Sequence, residues 1–271
     1  MSFVEHARWF APPPVMAAPV PPGRVTLVGA GPGDPELLTL RAVKALRGAR
    51  LVLYDHLVGK EVLQYVAEDA DLIYVGKQAA HHTLAQESII DLMVRLARSG
   101  RSLVRLKGGD CFVFGRGGEE ALALAEQGIA YDIVPGITSA QGAGAYAGIP
   151  LTHRDHAGTL VLATGHLCSR DEVALDWAAL ARPRQTVVIY MGLATLPIIS
   201  RELQAHGLPG DTPAALVEQA TLPGQRCISG TLAELPALAA AHAVRAPALI
   251  VIGHVVALQP HIYRGLRMPA L

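Results

Sequence analysis

Residues 105–119 read RLKGGDCFVFGRGGE, and this stretch indicates the class of fold. The mostly apolar residues that lead into it, from Ser102 to Leu106, predict a buried strand. The loop that follows contains five glycines, and glycine lets a backbone come close to a ligand. The same loop carries the charged side chains of Asp110, Arg116 and Glu119. In α/β proteins, charged residues on a loop at the end of a buried strand typically form a binding or catalytic site.

Short apolar runs alternate with helical patterns through the first half of the chain. The predicted strands are Val25–Gly29, Leu51–Asp55, Leu72–Gly76, Ser102–Leu106 and Tyr131–Val134. The predicted helices are Pro35–Leu46 with Asp34 as its N-cap, Ser88–Arg98 and Glu119–Gln127. Strands that alternate with helices predict a mostly parallel sheet that is covered on both faces.

The alternation begins again after Gly158. Here the predicted strands are Thr159–Ala163, Thr186–Met191, Ala214–Val217, Arg226–Ser229 and Ala248–Ile252, and the predicted helices include Leu196–His206 and Thr231–Ala241. We therefore predict two α/β domains with mostly parallel sheets, over residues 24–152 and 153–265, with the active site in the cleft between them.

The terminal segment and the cysteines suggest where the chain works. Residues 1–23 are rich in Pro and Ala, which predicts a flexible arm outside the fold. No apolar run reaches the roughly 18 residues of a membrane span, and the N-terminus lacks the apolar region of a secretory signal. Cys111, Cys168 and Cys227 form no CxxC pattern. We therefore expect no disulfides, no cysteine zinc site and a cytoplasmic location, and we interpret Cys168 and Cys227 as structural thiols.

Charge and composition limit the possible partners. Lys and Arg together number 23, as do Asp and Glu, so we expect no broad nucleic-acid surface. Charged residues make up only 17% of the chain and hydrophobic residues 51%. This composition predicts an extensive core and a buried interface between subunits. No metal-ligand spacing is present, and we interpret His81–His82 as a solvated pair in a loop.

The first glycine loop, VTLVGAGPGDP at residues 25–35, invites comparison with dinucleotide-binding loops. Its spacing is G-x-G-x-G rather than G-x-G-x-x-G. Pro32 and Pro35 also remove two backbone donors where a pyrophosphate needs them, and Asp34 adds a negative charge there. The loop therefore favours a ligand without a polyphosphate, and we interpret Asp55 as a turn residue at a strand end rather than as a ribose-binding acid.

A set of motifs spread along the chain points to a family. They are VGAGPGDP (28–35), VLYDHLV (52–58), VGK (75–77), RLKGGD (105–110), FVFGRGGEE (112–120), VPGITSA (134–140) and GIPLTHR (148–154). In this order they resemble the uroporphyrinogen-III C-methyltransferases of the tetrapyrrole methylase family, from about Arg24 to Val256. One departure is Cys111, which stands where the family is expected to have proline.

The resemblance implies a homodimer of two α/β domains that bind S-adenosylmethionine in the cleft between them, without a metal. It implies two methyl transfers, to C2 and C7 of uroporphyrinogen III, which give precorrin-2 for sirohaem, cobalamin or haem d1. The implied S-adenosylmethionine contacts are Pro32, Gly108, Gly109, Asp110, Val113, Thr138, Ser139, Met191, Ala220 and Ala248. At 271 residues, we also expect the chain to lack the dehydrogenase and ferrochelatase module of fused sirohaem synthases.

Arg116 and Glu119 are the candidate catalytic and substrate-binding residues. A guanidinium is a poor base but can hold a carboxylate through two hydrogen bonds, so we expect Arg116 to bind a carboxylate of the substrate. Glu119 would orient Arg116 or accept a proton. Arg154 is a second candidate carboxylate anchor, although an ordinary ion pair would also explain it. Met191 suits packing on an adenine and equally suits filling a core.

Two other classes of function compete with this interpretation. The first is a sibling enzyme that methylates a later precorrin, or a relative that methylates RNA or protein; neutral net charge argues against RNA. The second is a non-catalytic nucleotide-binding or regulatory module. Loss of Asp110, Arg116 or Glu119 would indicate such a module, and all three residues are present.

Overall fold

The computed structural model describes residues 21–76, 86–166 and 173–266. Its first half contains strands β1 (Val25–Gly29), β2 (Leu51–Tyr54), β3 (Asp71–Tyr74), β4 (Leu103–Lys107) and β5 (Tyr131–Val134), a short 3-10 helix (Pro35–Leu37), and helices α1 (Leu40–Arg47), α2 (Lys60–Leu63), α3 (Gln86–Arg98), α4 (Gly117–Glu126) and α5 (Ser139–Ala147).

The second half contains strands β6 (Thr159–Thr164), β7 (Gln185–Tyr190), β8 (Pro213–Glu218), β9 (Arg226–Thr231) and β10 (Ala248–Ile252), helices α6 (Trp177–Leu180), α7 (Leu196–Ala205), α8 (Leu235–Ala241) and α9 (Gln259–Tyr263), and a second 3-10 helix (His254–Leu258). The α/β class and the presence of two sheets are thus confirmed.

The first sheet is parallel throughout, with strand order β3-β2-β4-β1-β5. Strands β1, β2 and β4 are almost entirely buried, as apolar strands in the middle of a parallel sheet typically are. Because the strands are parallel, their carboxyl ends lie on one edge of the sheet. The loops after β1, β4 and β5, which carry the glycine motifs, therefore meet at that edge.

The second sheet, with order β6-β7-β10-β8-β9, differs from the expected mostly parallel arrangement. Only the pairing of β6 with β7 is parallel, and β7–β10, β10–β8 and β8–β9 are antiparallel. The connection between β8 and β9 spans only residues 219–225. A parallel pair needs a crossover of about a dozen residues or more, so this short loop produces an antiparallel hairpin.

Two helix predictions differ from the structure at their ends. The helix expected over Pro35–Leu46 is a 3-10 turn followed by α1, which starts after Thr39. The Thr39 side chain accepts a hydrogen bond from the backbone N–H of Ala42 and so begins a new helix there. Asp34 caps the 3-10 turn through the N–H of Glu36, as expected of an N-cap. The helix expected from Thr231 starts at Leu235, because β9 extends to Thr231.

The last residue of the expected N-terminal arm, Gly23, is in contact with the rest of the structure. Gly23 is buried, and its backbone N–H donates to the carbonyl oxygen of Ala97, 2.7 Å away. Gly23 therefore belongs to the fold, since this hydrogen bond joins the segment before β1 to the end of α3. Residues 1–20, like His81–His82 and Cys168, lie outside the described residues.

Helix α5 packs on the second sheet although it follows the last strand of the first. Its residues Ala140, Ala143 and Ala147 share a buried cluster with Val188 of β7 and Val251 of β10. The division between domains at residue 152 stays a prediction. Within the described residues, no helix has both the length and the apolar character that crossing a membrane requires.

Candidate active site

The glycine loops after β1, β4 and β5 are in backbone contact. Gly31 and Gly109 form a two-hydrogen-bond bridge, with N–O distances of 3.1 and 2.7 Å. A Cβ atom at Gly136, in the loop after β5, would lie 2.2 Å from the carbonyl oxygen of Gly109. Only glycine fits at position 136 for this reason. Three segments that are far apart in the sequence thus form one continuous backbone surface.

Asp110 fastens two of these loops together. Its Oδ1 accepts hydrogen bonds from the backbone N–H groups of Phe112 and Val113, at 2.8 and 3.1 Å, and its Oδ2 accepts one from Gly136 at 3.0 Å. Both carboxylate oxygens are therefore used within the protein. If Asp110 contributes to ligand binding, it does so by shaping the loops around the ligand.

Tyr190, at the end of β7, connects this edge to the second sheet. Its hydroxyl lies 2.6 Å from the Oγ1 of Thr138 and accepts a hydrogen bond from the N–H of Ala140 at 2.9 Å. Burial raises the pKa of Tyr190, so the phenol stays protonated at neutral pH. The contact places the predicted residues Thr138 and Ser139 beside the carboxyl end of β7.

An apolar wall stands where the two sheets meet. The ring of Phe114, in the loop after β4, lies 4.9 Å from the ring of Tyr190, centroid to centroid. Val113 and Ala220 both pack against the second-sheet core. Met191 follows Tyr190 directly and is 54% exposed, which is unusual for a methionine beside a buried strand. A ligand with an apolar ring system could bury the exposed apolar surface of Phe114 and Met191.

The remaining predicted cofactor residues border the same region. Pro32 lies in the loop after β1, and Gly108 lies between β4 and the bridge at Gly109. Ala248 begins β10 and pairs with Glu218, at the end of β8, two residues before Ala220. The predicted cofactor residues of the first sheet and those of the second sheet therefore lie at strand ends on the side where the two sheets meet.

Several residues around this region have strained backbones. Phe114, Arg116, Met191, Gln219 and Thr221 all have positive φ values, between 48° and 65°, although none is glycine. Each such conformation costs on the order of 1–3 kcal/mol and is typically found at functional sites. Their concentration in the loops after β4, β7 and β8 supports a site there.

Arg116 and Glu119 form a two-pronged ion pair. Nε of Arg116 lies 2.8 Å from Oε1 of Glu119, and Nη2 lies 2.6 Å from Oε2. The hydrogen bonds from Arg116 lower the pKa of Glu119, while those to Glu119 raise the pKa of Arg116. Both side chains are about half exposed, so they remain accessible to a ligand.

Within the part of the chain that the structure describes, no hydrogen bond or ion pair joins the Arg154 side chain to the other predicted residues. It lies in the tight turn over residues 153–157, and its carbonyl oxygen accepts a hydrogen bond from Nη2 of Arg184 at 2.7 Å. Its own side chain is exposed. The structure therefore brings Arg116 and Glu119 together but does not join Arg154 to them.

A buried charge cluster lies beneath the loop of Arg116, and the sequence did not indicate it. The Oε1 atom of Glu120 accepts hydrogen bonds from Lys107 at 2.9 Å, Gln86 at 3.0 Å and Arg105 at 3.2 Å. Burial is the largest influence on Lys107 and lowers its pKa. Asp55 pairs with Arg105 and also accepts from the N–H of Leu57, which makes it the strand-end turn residue that we expected.

The described residues contain no group of three His, Cys, Asp or Glu side chains placed to hold a metal ion. Cys111 and Cys227 are free thiols. Burial raises the pKa of Cys111 to about 12, which makes this thiol chemically inert at neutral pH.

A family model for tetrapyrrole (corrin/porphyrin) methylases matches residues 24–236, which include every loop described above. The chain belongs to this family. A siroheme synthase from Methylobacillus flagellatus is 56% identical over 237 residues, and one from Nitrosospira multiformis is 54% identical over 234. These matches cover 88% and 86% of this chain but 50% and 49% of the relatives. The chain thus spans about half the length of the curated relatives it matches.

Solved structures match over nearly their whole length. A uroporphyrin III C-methyl transferase from Thermus thermophilus is 42% identical with a TM-score of 0.74, and the match covers 87% of this chain and all of that one. The same enzyme has been solved in complex with S-adenyl homocysteine. A cobalt precorrin-4 methyltransferase gives a TM-score of 0.76 at 28% identity, over 86% of this chain and 95% of that one.

Sequence reasoning missed several residues that shape the site. Tyr190 and Phe114 connect the two halves. Asp34, expected as a helix cap and as a negative charge in the first glycine loop, also contacts Tyr146 and Thr221. Tyr190 precedes the predicted Met191, but a tyrosine at a strand end is an ordinary feature. No pattern in the sequence indicates which distant hydroxyl it contacts.

Proposed function

We propose that the chain transfers methyl groups from S-adenosylmethionine to C2 and C7 of uroporphyrinogen III, giving precorrin-2. The observation that carries the proposal is the ring contact between Phe114 and Tyr190, which joins the loop after β4 to the end of β7, directly before the exposed Met191, in a tetrapyrrole methylase. The 42% identity with the Thermus thermophilus enzyme, over that enzyme's whole length, favours this substrate.

The residues present suit S-adenosylmethionine. Met191 and Phe114 are 54% and 37% exposed and offer apolar surface to an adenine ring and to the carbon chain beside a sulfonium. The proline-interrupted loop at Pro32 offers few N–H donors, in keeping with a cofactor that carries no phosphate. When bound, this cofactor supplies an electrophilic methyl group. The protein's part is to place it in line with a nucleophilic ring carbon and to exclude water.

Arg116 and Glu119 are the residues that we propose for substrate binding. The exposed guanidinium of Arg116 would bind a carboxylate of the tetrapyrrole, and Glu119 would fix its plane. Because its pKa is lowered, Glu119 is a weak base, which favours the orienting role over proton removal. Arg154 remains a proposed second anchor.

An anaerobic assay with S-adenosylmethionine and uroporphyrinogen III tests the proposal directly. We expect mass spectrometry to show a product in which two hydrogens are replaced by methyl groups. Turnover of a later precorrin but not of uroporphyrinogen III would favour the alternative function, methylation of a later precorrin. The similarity to a cobalt precorrin-4 methyltransferase is the reason to test this alternative. Absence of S-adenosylhomocysteine binding would overturn both.

We further infer that the chain works as a homodimer in the cytoplasm. The low charged fraction of 17% supports an apolar interface between subunits. The free thiols of Cys111 and Cys227 suit a reducing compartment.

A further inference from the structure

A buried junction joins three segments of the chain at one side of the proposed cofactor cleft. We call Asp34, Tyr146 and Thr221 the junction residues. The hydroxyl of Tyr146, on α5, donates to Oδ2 of Asp34, in the loop after β1. The backbone N–H of Asp34 donates to Oγ1 of Thr221, in the β8–β9 connection, at 3.0 Å. The junction thus links the loop after β1 both to α5 and to the β8–β9 connection of the second sheet.

Two glycines let these segments approach closely. A Cβ atom at Gly142 would lie 2.6 Å from Cγ of Pro32 and 2.9 Å from Cγ2 of Thr221. A Cβ atom at Gly33 would lie 2.9 Å from Oγ1 of Thr221. The three segments are therefore packed so closely that no side chain fits at Gly142 or Gly33. A change in a side chain of the junction is expected to shift one of these segments.

The junction residues are buried and their groups are paired. Asp34 is 4% exposed and Thr221 is 0% exposed. Burial, together with the hydrogen bond to Asp34, raises the pKa of Tyr146 to about 12, so its hydroxyl keeps the proton it donates at neutral pH. Removal of the Tyr146 hydroxyl leaves Oδ2 of Asp34 without this donor, and removal of the Thr221 hydroxyl leaves the backbone N–H of Asp34 without this acceptor.

The junction lies between two proposed cofactor contacts that belong to different sheets. Pro32 is two residues before Asp34, and Ala220 is one residue before Thr221. We propose that Asp34, Tyr146 and Thr221 are positioning residues that set the distance between Pro32 and Ala220, and hence the width of the S-adenosylmethionine cleft. This inference rests on the proposed function, because it requires that the cleft bind this cofactor.

The position of the junction predicts a selective effect. The junction contacts the loops after β1 and β8, whereas the Arg116–Glu119 pair lies where the loop after β4 enters α4. A loosened junction should therefore weaken cofactor binding and leave tetrapyrrole binding nearly unchanged. General destabilisation of the fold would affect both.

The test uses Tyr146→Phe and Thr221→Val, which each remove one hydroxyl with little change of shape. Thr221→Ser keeps the oxygen and is the rescue variant. Tyr131→Phe, at an exposed tyrosine of β5, is the control for the first change. Thr186→Val is the control for the second, because Thr186 is 0% exposed and its hydroxyl has no partner among the described residues.

Calorimetry with S-adenosylhomocysteine and steady-state kinetics provide the measurements. We expect Tyr146→Phe and Thr221→Val each to weaken S-adenosylhomocysteine binding by about tenfold. A change of that size corresponds to the loss of about one hydrogen bond. The KM for S-adenosylmethionine should rise in parallel, and the KM for the tetrapyrrole should stay within about twofold. Thr221→Ser and both controls should bind like the wild type.

Three results would overturn the positioning role. They are wild-type affinity in both variants, an equal rise of both KM values, and a loss in Thr221→Val that Thr221→Ser does not restore. If the wild-type chain itself fails to bind S-adenosylhomocysteine, the proposed function falls and this inference falls with it. A wild type that binds and methylates normally, with unaffected variants, overturns only the positioning role.

Discussion

At the scale of single residues, the chemistry of the site depends on how charged groups are paired. Arg116 and Glu119 form their two-pronged pair at the surface, where a substrate carboxylate can reach the guanidinium. Asp110 is a carboxylate like Glu119, but both of its oxygens accept hydrogen bonds from backbone N–H groups. The loop after β4 and the first turn of α4 thus hold one charged pair available for binding and one carboxylate with a structural role.

The pair leads to a prediction about Arg116. Arg116→Lys keeps the charge but loses the planar fork, so one charge-assisted hydrogen bond worth roughly 1.5–3 kcal/mol is lost. We expect kcat/KM to fall by about tenfold to a hundredfold and S-adenosylhomocysteine affinity to hold. Arg116→Ala should be worse. Arg182→Lys, at an exposed arginine, is the control.

A parallel fall in S-adenosylhomocysteine affinity would contradict the carboxylate-binding role and assign Arg116 to the cofactor site. Unchanged kinetics in both Arg116 variants would show that the pair is an ordinary surface contact.

Cys111 offers a second residue-scale prediction. Its thiol is 0% exposed and its pKa is raised to about 12 by burial, so only about one molecule in ten thousand is a thiolate at pH 8. We expect iodoacetamide at pH 8 to leave Cys111 unmodified in the native protein and to alkylate it in guanidinium chloride. Peptide mass spectrometry locates the label. Equal alkylation in both conditions would mean that the loop opens readily.

At the scale of elements, β4 and α4 are joined by buried charges. Arg105 and Lys107 are two residues apart on β4 and thus lie on the same face, where both donate to Glu120 of α4. Glu120 is 0% exposed. The pairing holds the start of α4, and with it the Arg116 loop, against the end of β4.

Breaking this pairing should be costly. Glu120→Gln keeps the shape but removes the carboxylate that pairs with Lys107 and leaves Arg105 with Asp55 alone. Removal of one partner from a buried ion pair costs about 3–5 kcal/mol. We expect urea denaturation to show a loss of that size. Glu126→Gln, at an exposed position of the same helix, should change the free energy of unfolding by less than about 0.5 kcal/mol. A similar small change in Glu120→Gln would show that the cations are compensated elsewhere.

At the scale of the whole molecule, the N-terminal boundary of the fold can be tested by truncation. Residues 1–20 are rich in Pro and Ala, which predicts that they lie outside the fold. Their deletion should leave Tm and turnover unchanged. Deletion of residues 1–23 should lower Tm by several degrees, because it removes the hydrogen bond from Gly23 to Ala97. Loss of turnover in the shorter deletion would show that the terminal segment has a role in the enzyme.

The proposed homodimer is the last whole-molecule prediction. We expect light scattering at micromolar concentration to give twice the chain mass of 28.6 kDa. Raising the salt concentration should not dissociate the dimer, since an apolar interface is little affected by ionic screening. A mass near that of one chain would contradict the proposal.

The sequence alone determined the local features of the protein. The glycine loops, the Asp34 cap and the strands of both halves follow from periodicity and from backbone rules that act over a few residues, and most appear within one or two residues of the predicted ends. The parallel pairing in the first sheet followed as well, because helices between strands favour parallel neighbours, whereas the order of its strands was not predicted.

The tertiary structure alone decided which distant residues meet. The mostly antiparallel second sheet depends on strand pairing across long separations, and the contacts of Tyr190 with Thr138 and of Asp34 with Tyr146 and Thr221 join segments that no periodicity relates. Arg105, Lys107 and Glu120 likewise show ordinary charges in the sequence and become a buried cluster only when α4 packs on β4. Such side-chain pairings depend on the relative placement of whole elements, which local sequence patterns do not encode.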